Sequence, residues 1–350
     1  MHSLVVFIAL IFCLWIGRSI FIPLLFAAFL WYLLNAISAY YRKIMPCYKS
    51  TNNASCSTKT NKIYNWLSGT LSLATVSGVI FVFATQIEPM LIELYQSTPI
   101  LQQKLLTFST FISQKIGVSI DMNLIPDLPQ IATYIGSSLA SLATSTGMVL
   151  IYLIFMFIEQ SSFNKKIDSM PLSKIKTKKL RFILNSIDEN MKKYLFTKTF
   201  ISGATGIGAY ILLEIIGLEY ASVWAFIIFI LNYIPTIGSI LACALPIAFA
   251  LISGDTWHLA AFTAIALIFL EILFGNIIDP KLTGKTLNIS TLAILVNLVF
   301  WGMIWGPAGM FFSVPILVAV YITTAQFEST RWIATLLSAD GKIPDETQND

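Results

Sequence analysis

The sequence predicts an all-α, polytopic integral membrane protein with two helical hairpins broken by proline and glycine. Three observations carry that expectation. Hydrophobic residues make up 56% of the 350 and charged ones only 11%, against roughly a quarter charged in a soluble globular protein, so the apolar excess needs lipid as its solvent. Apolar runs recur at the length of about 20 residues that crosses a hydrocarbon core. The 22 basic residues collect between those runs, so topology accounts for the net charge of +4 and no nucleic-acid partner is expected.

Taken in order, residues 1–41 read as an amino-terminal membrane hairpin, whose short first run, Leu4 to Ile16, is separated from the second by Arg18 and Pro23. No basic residue precedes that run and no small-residue cleavage site follows it, so it is read as a retained helix. Residues 42–62 are a polar cytoplasmic loop containing Pro46, and 63–86 are a membrane helix. Residues 87–130 are less apolar and carry Pro89, Pro99, Pro126 and Pro129, while Leu101, Leu105, Phe108 and Ile112 recur at helical spacing. They are expected as amphipathic helices outside the membrane. Residues 131–159 form the next membrane helix, and 160–198 a basic cytoplasmic region with an amphipathic helix at the membrane surface. The core is placed at 199–325, followed by a polar cytoplasmic tail, 326–350, that needs no fold.

Within that core the first span holds Gly203 and Gly206 among small residues that let another helix approach closely. The stretch from Trp224 to Ile252 is cut at Asn232 to Gly238, where Pro235 and Gly238 break the helix. A further span ends near Phe274 and a polar loop follows to Thr286. The stretch from Leu287 to Ala325 is cut at Trp301 to Pro307. If both cut stretches are hairpins and the amino terminus is inside, only Arg18, Lys104 and Lys115 of the basic residues lie outside. Both termini are then cytoplasmic.

No enzyme site is legible, and no cofactor or metal is expected. Only His2 and His258 exist, and the four cysteines, Cys13, Cys47, Cys56 and Cys243, lack ligand spacing. Gly284-Lys285-Thr286 ends like a phosphate-binding loop, but Asp279 stands where that loop needs its first glycine. The chemistry is sought instead in the apolar spans. A carboxylate there is costly unless it is paired or faces water, which singles out Glu214 and Glu271. Glu214 reads as a helix-end carboxylate reaching interfacial water. Glu271, just ahead of Asn276, Asp279 and Lys281, stands between that reading and an ion site. Unwound backbone in lipid survives only inside protein or beside a water-filled cavity, so Asn232, Pro235, Thr236 and Gly238 mark either a substrate pathway or a tight surface turn. The pathway is the preferred reading. Trp301 and Trp305 read as interfacial anchors flanking the second break.

Three ordered motifs then resemble one family. They are Asn232-Tyr233-Ile234-Pro235-Thr236-Ile237-Gly238-Ser239 with Pro246; Phe274 to Lys285, which includes Gly284; and Phe300-Trp301-Gly302-Met303-Ile304-Trp305-Gly306-Pro307-Ala308-Gly309-Met310 with Pro315. Over residues 224 to 325 the chain resembles the autoinducer-2 exporter family, or PerM-like permeases. The resemblance implies a multi-pass protein of the bacterial inner membrane with about eight transmembrane helices, a homo-oligomer without a dedicated ATPase domain. It implies export of a furanone-type signal in some members and sodium/proton exchange in others. Three functions are therefore carried forward: a secondary transporter of a small molecule; a sodium/proton antiporter using Glu271 and Asp279; and a non-transporting scaffold whose helices at 88–130 bind a partner.

Overall fold

The computed structural model describes residues 2–44, 58–116, 130, 146–160, 162–171, 173–253, 257–283 and 288–343. The middle of the expected 42–62 loop, most of 117–145 and Gly284 lie outside them. The described residues form helices and one isolated antiparallel bridge, Ile289 to Ser338. Arg18–Ile44, Lys174–Ile216, Trp257–Ile278 and Thr291–Ala325 are long and apolar enough to cross a membrane, and Thr146–Gln160, Ala221–Leu231 and Ile237–Ser253 are shorter apolar helices. The chain is thus an all-α polytopic membrane protein.

It divides into two units. The first gathers Met1–Val76, Thr146–Lys198 and Pro280–Asp350. Helix α1, His2–Ile16, passes into α2, Arg18–Ile44, through the single residue Gly17. Ala27 and Leu34 of α2 pack with Leu153 of α4, Thr146–Gln160. On the same helix Ser38 donates to Ser68 Oγ, 3.0 Å away on α3, Thr58–Ile116. That helix runs unbroken across the boundary expected at 86/87, with Pro89 and Pro99 inside it. Each proline removes only one amide from the ladder, and ten residues separate the two losses.

After the short α5, Phe163–Asp168, comes α6, Lys174–Ile216. Residues 174–198 are therefore not a separate amphipathic element but the first part of a 43-residue helix. Ile187 and Met191 on their apolar side pack against Val314, Leu317, Val318 and Tyr321 of α11, Thr291–Ala325. Protein covers that stripe at Ile187 and Met191, while Ile175 is 81% exposed.

The tail is folded where none was expected. Helix α12, Arg331–Leu337, buries Ala334 fully in the same core. The chain then returns to Asn288. Ser290 N donates to Leu337 O at 2.8 Å and Ala339 N to Asn288 O at 3.1 Å. The Asn288 side-chain amide reaches Ser338 Oγ at 3.1 Å, Lys342 O at 3.0 Å and the Asp340 carboxylate. Apolar contacts of Ala334, Leu337 and Ile343 with that core thus act together with pairing around one asparagine, which no sequence pattern announces.

Hydrogen bonds from the Asn288 amide first, and from the Lys342 backbone N–H second, hold the Asp340 carboxyl below its ordinary value of 3.8. A depressed folded pKa stabilises the latch above the unfolded value, and that contribution is lost as pH falls through the folded one. Proteolysis of the 338–343 segment is therefore expected to rise as pH drops below about 4. Asn288→Ala should make it susceptible at pH 7. Cleavage independent of both pH and Asn288 would contradict the latch.

The second unit comprises Ser77–Ser145 and Thr199–Asp279. Here α6 ends in a left-handed glycine cap: Gly217 has φ 80° and Leu218 N donates to Leu213 O at 3.0 Å. Helices α7, Ala221–Leu231, and α8, Ile237–Ser253, form a hairpin, since Trp224 and Phe249, 25 residues apart, bring their rings to 5.2 Å. Helix α9, Trp257–Glu271, completes the core through Ala260, Leu267 and Leu270.

Candidate functional site

The break between α7 and α8 is a compact polar turn. Helix α7 has only 11 residues, about 16 Å at 1.5 Å per residue, so its end lies well short of a bilayer's thickness. Pro235 cannot donate, and the chain turns through Thr236 at φ 60°. A β-branched residue in the left-handed region is strained by about 1–3 kcal/mol, and such strain clusters at functional sites. Gly238 is obligatory for space: a Cβ there would lie 1.9 Å from Leu231 O. Pro246 is fully buried inside α8.

Asn232 is only 5% exposed, and its amide donates to Thr205 Oγ1 of α6 at 3.3 Å. Tyr233 OH donates to Thr199 Oγ1 at 2.9 Å. Thr205 in turn donates to Ile201 O at 2.9 Å. Thr199 and Thr205 thus meet the break from α6, with Ser202 midway between them in the i, i+3 series. None was singled out from sequence; the readable signal was a spacing of three hydroxyls within an apolar span. Gly206 permits the approach, since its Cβ would meet Phe229 Cβ at 3.1 Å, and at Gly208 Leu270 Cδ1 would stand at 2.8 Å. Gly203 has open space instead, so its smallness serves no contact here.

The polar loop expected from Gly275 to Thr286 is helical as far as Thr283, where the described residues pause. A π-helix spans Ile272–Ile278, with the Asp279 amide reaching back five residues to Phe274 O, and α10, Asp279–Thr283, follows. The wider turn absorbs Gly275 and Asn276, which a local reading takes for a helix end. Glu271 is half-buried and lies along this helix, with Oε1 2.8 Å from where a Gly275 Cβ would sit. Asp279 is half-buried, whereas Asn276 and Lys281 are exposed. The recorded bond of Asn232 runs to α6, so these residues and the break are not brought together by it. Glu214 is exposed in the last turn of α6. Among the described residues no cluster of three His, Cys, Asp or Glu side chains is placed to hold a metal.

The second cut stretch is also a hairpin. Gly306, at φ 63° and ψ −142°, reverses α11, and Pro307 opens the second arm. Asn297 Nδ2 donates to Ser313 O, 16 residues on, at 2.7 Å, a separation no straight helix could close. A Gly309 Cβ would fall 2.0 Å from Trp301 O, and a Gly302 Cβ 2.8 Å from Met310 Cε. Pro315 lies in the second arm and offers no amide to the preceding turn. Trp301 Nε1 donates to Asn297 Oδ1 at 3.1 Å. Trp305 does not act as an interfacial anchor: it is 8% exposed, and its N–H donates to Leu14 O of α1 at 2.9 Å.

A family model described as AI-2E family transporter matches residues 4–329. The chain is 32% identical to the AI-2 transport protein TqsA of Escherichia coli over 237 residues, covering 64% of this chain and 66% of that protein. It is 30% identical over 293 residues to a Haemophilus influenzae protein described as a candidate transport protein, covering 79% and 82% of the two chains. A similarly described Borreliella burgdorferi protein is 36% identical over 182 residues, 51% of this chain and 49% of its own. With the family match running almost end to end over an all-helical membrane fold with two broken hairpins, the chain belongs to the AI-2E transporter family.

Proposed function

We propose that the protein exports a small signalling molecule of the AI-2 kind as a secondary transporter, passing it along the bundle of residues 199–279 beside the break at Asn232 to Gly238. The observation that carries this reading is a strained, unwound turn whose buried asparagine is matched by a hydroxyl from the neighbouring helix. Such backbone persists in an apolar protein only where protein or water satisfies it, which is where transporters place their solutes. Similarity to a protein named for AI-2 transport supports the choice of solute. The protein works as a homo-oligomer in the bacterial inner membrane with both termini cytoplasmic, an orientation supported by the basic residues counted between the spans. Asn276 and Asp279 belong to the same unit and are assigned to this route.

AI-2 flux into proteoliposomes, with and without an imposed proton gradient, tests this reading. Wild-type protein is expected to carry AI-2. Asn232→Ala, which removes a donor and an acceptor, and Pro235→Ala, which restores an amide and lets the helix run on, should each lower flux about tenfold, some 1.4 kcal/mol, with insertion intact. Asp279→Asn should abolish the response to the gradient. Wild-type flux in all three variants would refute the route.

A further inference from the structure

In the first unit α6 carries charged residues at the height of two apolar spans, α2 and the second arm of α11. Contacts at both ends fix that height. Lys179 Nζ stands 4.9 Å over the Phe327 ring, just past the end of α11. Met191, 12 residues further along α6, shares a buried cluster with Val314, which lies 13 residues back from Phe327. The two helices therefore run side by side in opposite senses, and Met191 sits about 18 Å from the level of Lys179. Helix α2 gives the same answer. Phe26 and Phe29 meet the Phe311 ring at 5.9 and 5.4 Å, and Tyr32, near the middle of α2, packs on the cluster of Met191 and Val314. With the end of α11 at the edge of a hydrocarbon core about 30 Å thick, residues 185–193 straddle its midplane. Their outward side is polar: Asn185, Glu189, Lys192 and Lys193 are exposed and Asp188 is half-buried, while Ile183, Met191 and Leu195 point into protein.

We propose that this side of α6 walls a water-filled vestibule, which enters from the Lys179 end and reaches the middle of the bilayer. The inference concerns the first unit alone and does not depend on the transport reading. Lys192 donates to Asp188 at 2.5 Å, and Glu189 and Lys193 repeat the same i, i+4 spacing one position round the helix. Pairing offsets part of the cost of placing these charges in hydrocarbon, but each still has to leave water. An aspartate at that depth is too short to reach the interface. Lipid therefore does not solvate this side. A second copy presenting the same side at the same height would set acid against acid and base against base. Water meets all five polar groups without that penalty. The mouth of the vestibule is basic, with Lys174, Lys176 and Lys178 exposed, so it admits small anions and polar solutes in preference to cations. Exposed Phe196, one turn beyond Lys192, ends the polar run.

Thiol accessibility tests this. Asn185→Cys, Lys193→Cys and, for comparison, Val296→Cys are made singly in a full-length protein whose four native cysteines are replaced by serine. Val296 is 62% exposed, and the bond of its neighbour Asn297 to Ser313 sets it across the hairpin at the height of Val314. A charged, membrane-impermeant thiol reagent is applied to membranes open on both faces. Asn185→Cys and Lys193→Cys are expected to react about tenfold faster than Val296→Cys, because the reactive thiolate forms in water and not in hydrocarbon. Asn185→Cys leaves both charge pairs in place, so its result stands even where Lys193→Cys fails to fold. Reaction at Asn185→Cys as slow as at Val296→Cys, with both labelled after denaturation in SDS, means that the polar side is covered and overturns the vestibule. Reaction equally fast at the two places this height outside the bilayer and overturns it as well.

Discussion

Gly309→Ala is expected to destabilise the protein by about 3 kcal/mol or more, at the upper end of overpacking effects. The added carbon would fall 2.0 Å from Trp301 O, and that atom is backbone on the opposite arm of the hairpin, so relief requires the arms to separate. Separation also pulls Asn297 from Ser313. Gly238→Ala should be comparably severe, for its carbon would lie 1.9 Å from Leu231 O across the other break. Gly302→Ala supplies the internal contrast. Its carbon meets Met310 Cε at 2.8 Å, the far end of a flexible side chain, and should cost below about 1 kcal/mol. Thermal unfolding of the three variants in one detergent measures the order. A Gly309→Ala protein that melts with the wild type would show that the arms do not approach as described.

Asn297→Ala is expected to cost about 2–4 kcal/mol, more than an ordinary hydrogen-bond deletion, because one side chain serves both arms. Its amide holds Ser313 O at 2.7 Å and its oxygen accepts from Trp301 Nε1 at 3.1 Å. Truncation leaves a carbonyl and an indole N–H without these partners in a half-buried setting where water is scarce. Asn297→Asp should be no milder, since it keeps the acceptor, loses the donor and adds a charge. Thermal unfolding reads the loss, and a change in Trp301 fluorescence should accompany it. Variants that match the wild type in both would remove Asn297 as the tie between the arms.

Both hairpins were legible because their causes are local: Pro235, Gly238, Gly306 and Pro307 restrict or free the backbone wherever they stand. The π-helix was not. Gly275 and Asn276 carry the same local signal as a helix end, and only the bond from Asp279 N to Phe274 O shows that the helix continues. Proline misled in the opposite direction at Pro89 and Pro99, where a long helix tolerates isolated gaps in its ladder. The candidate site was half visible. Asn232 stood out as polar in an apolar run, but Thr199, Ser202 and Thr205 did not, since hydroxyls in membrane helices commonly bond back to their own preceding turn. Their significance depends on what faces them, and Asn232 lies 27 positions from Thr205.

The latch between Asn288 and residues 338–342 bears on how the protein is made. Asn288 leaves the ribosome 50 residues before Ser338, and the ring those two close contains the whole of α11. The fastening at the open end of that hairpin is therefore available only after residues 338–342 have been made. Until then the hairpin is held by its own tie, Asn297 to Ser313, and by the bond of Trp305 to Leu14 of α1. Closure of the ring then becomes a late event that separates inserted chains from finished ones. A quality-control protease that recognises an unfastened 326–343 segment can sort the two by that mark alone, without inspecting anything inside the membrane.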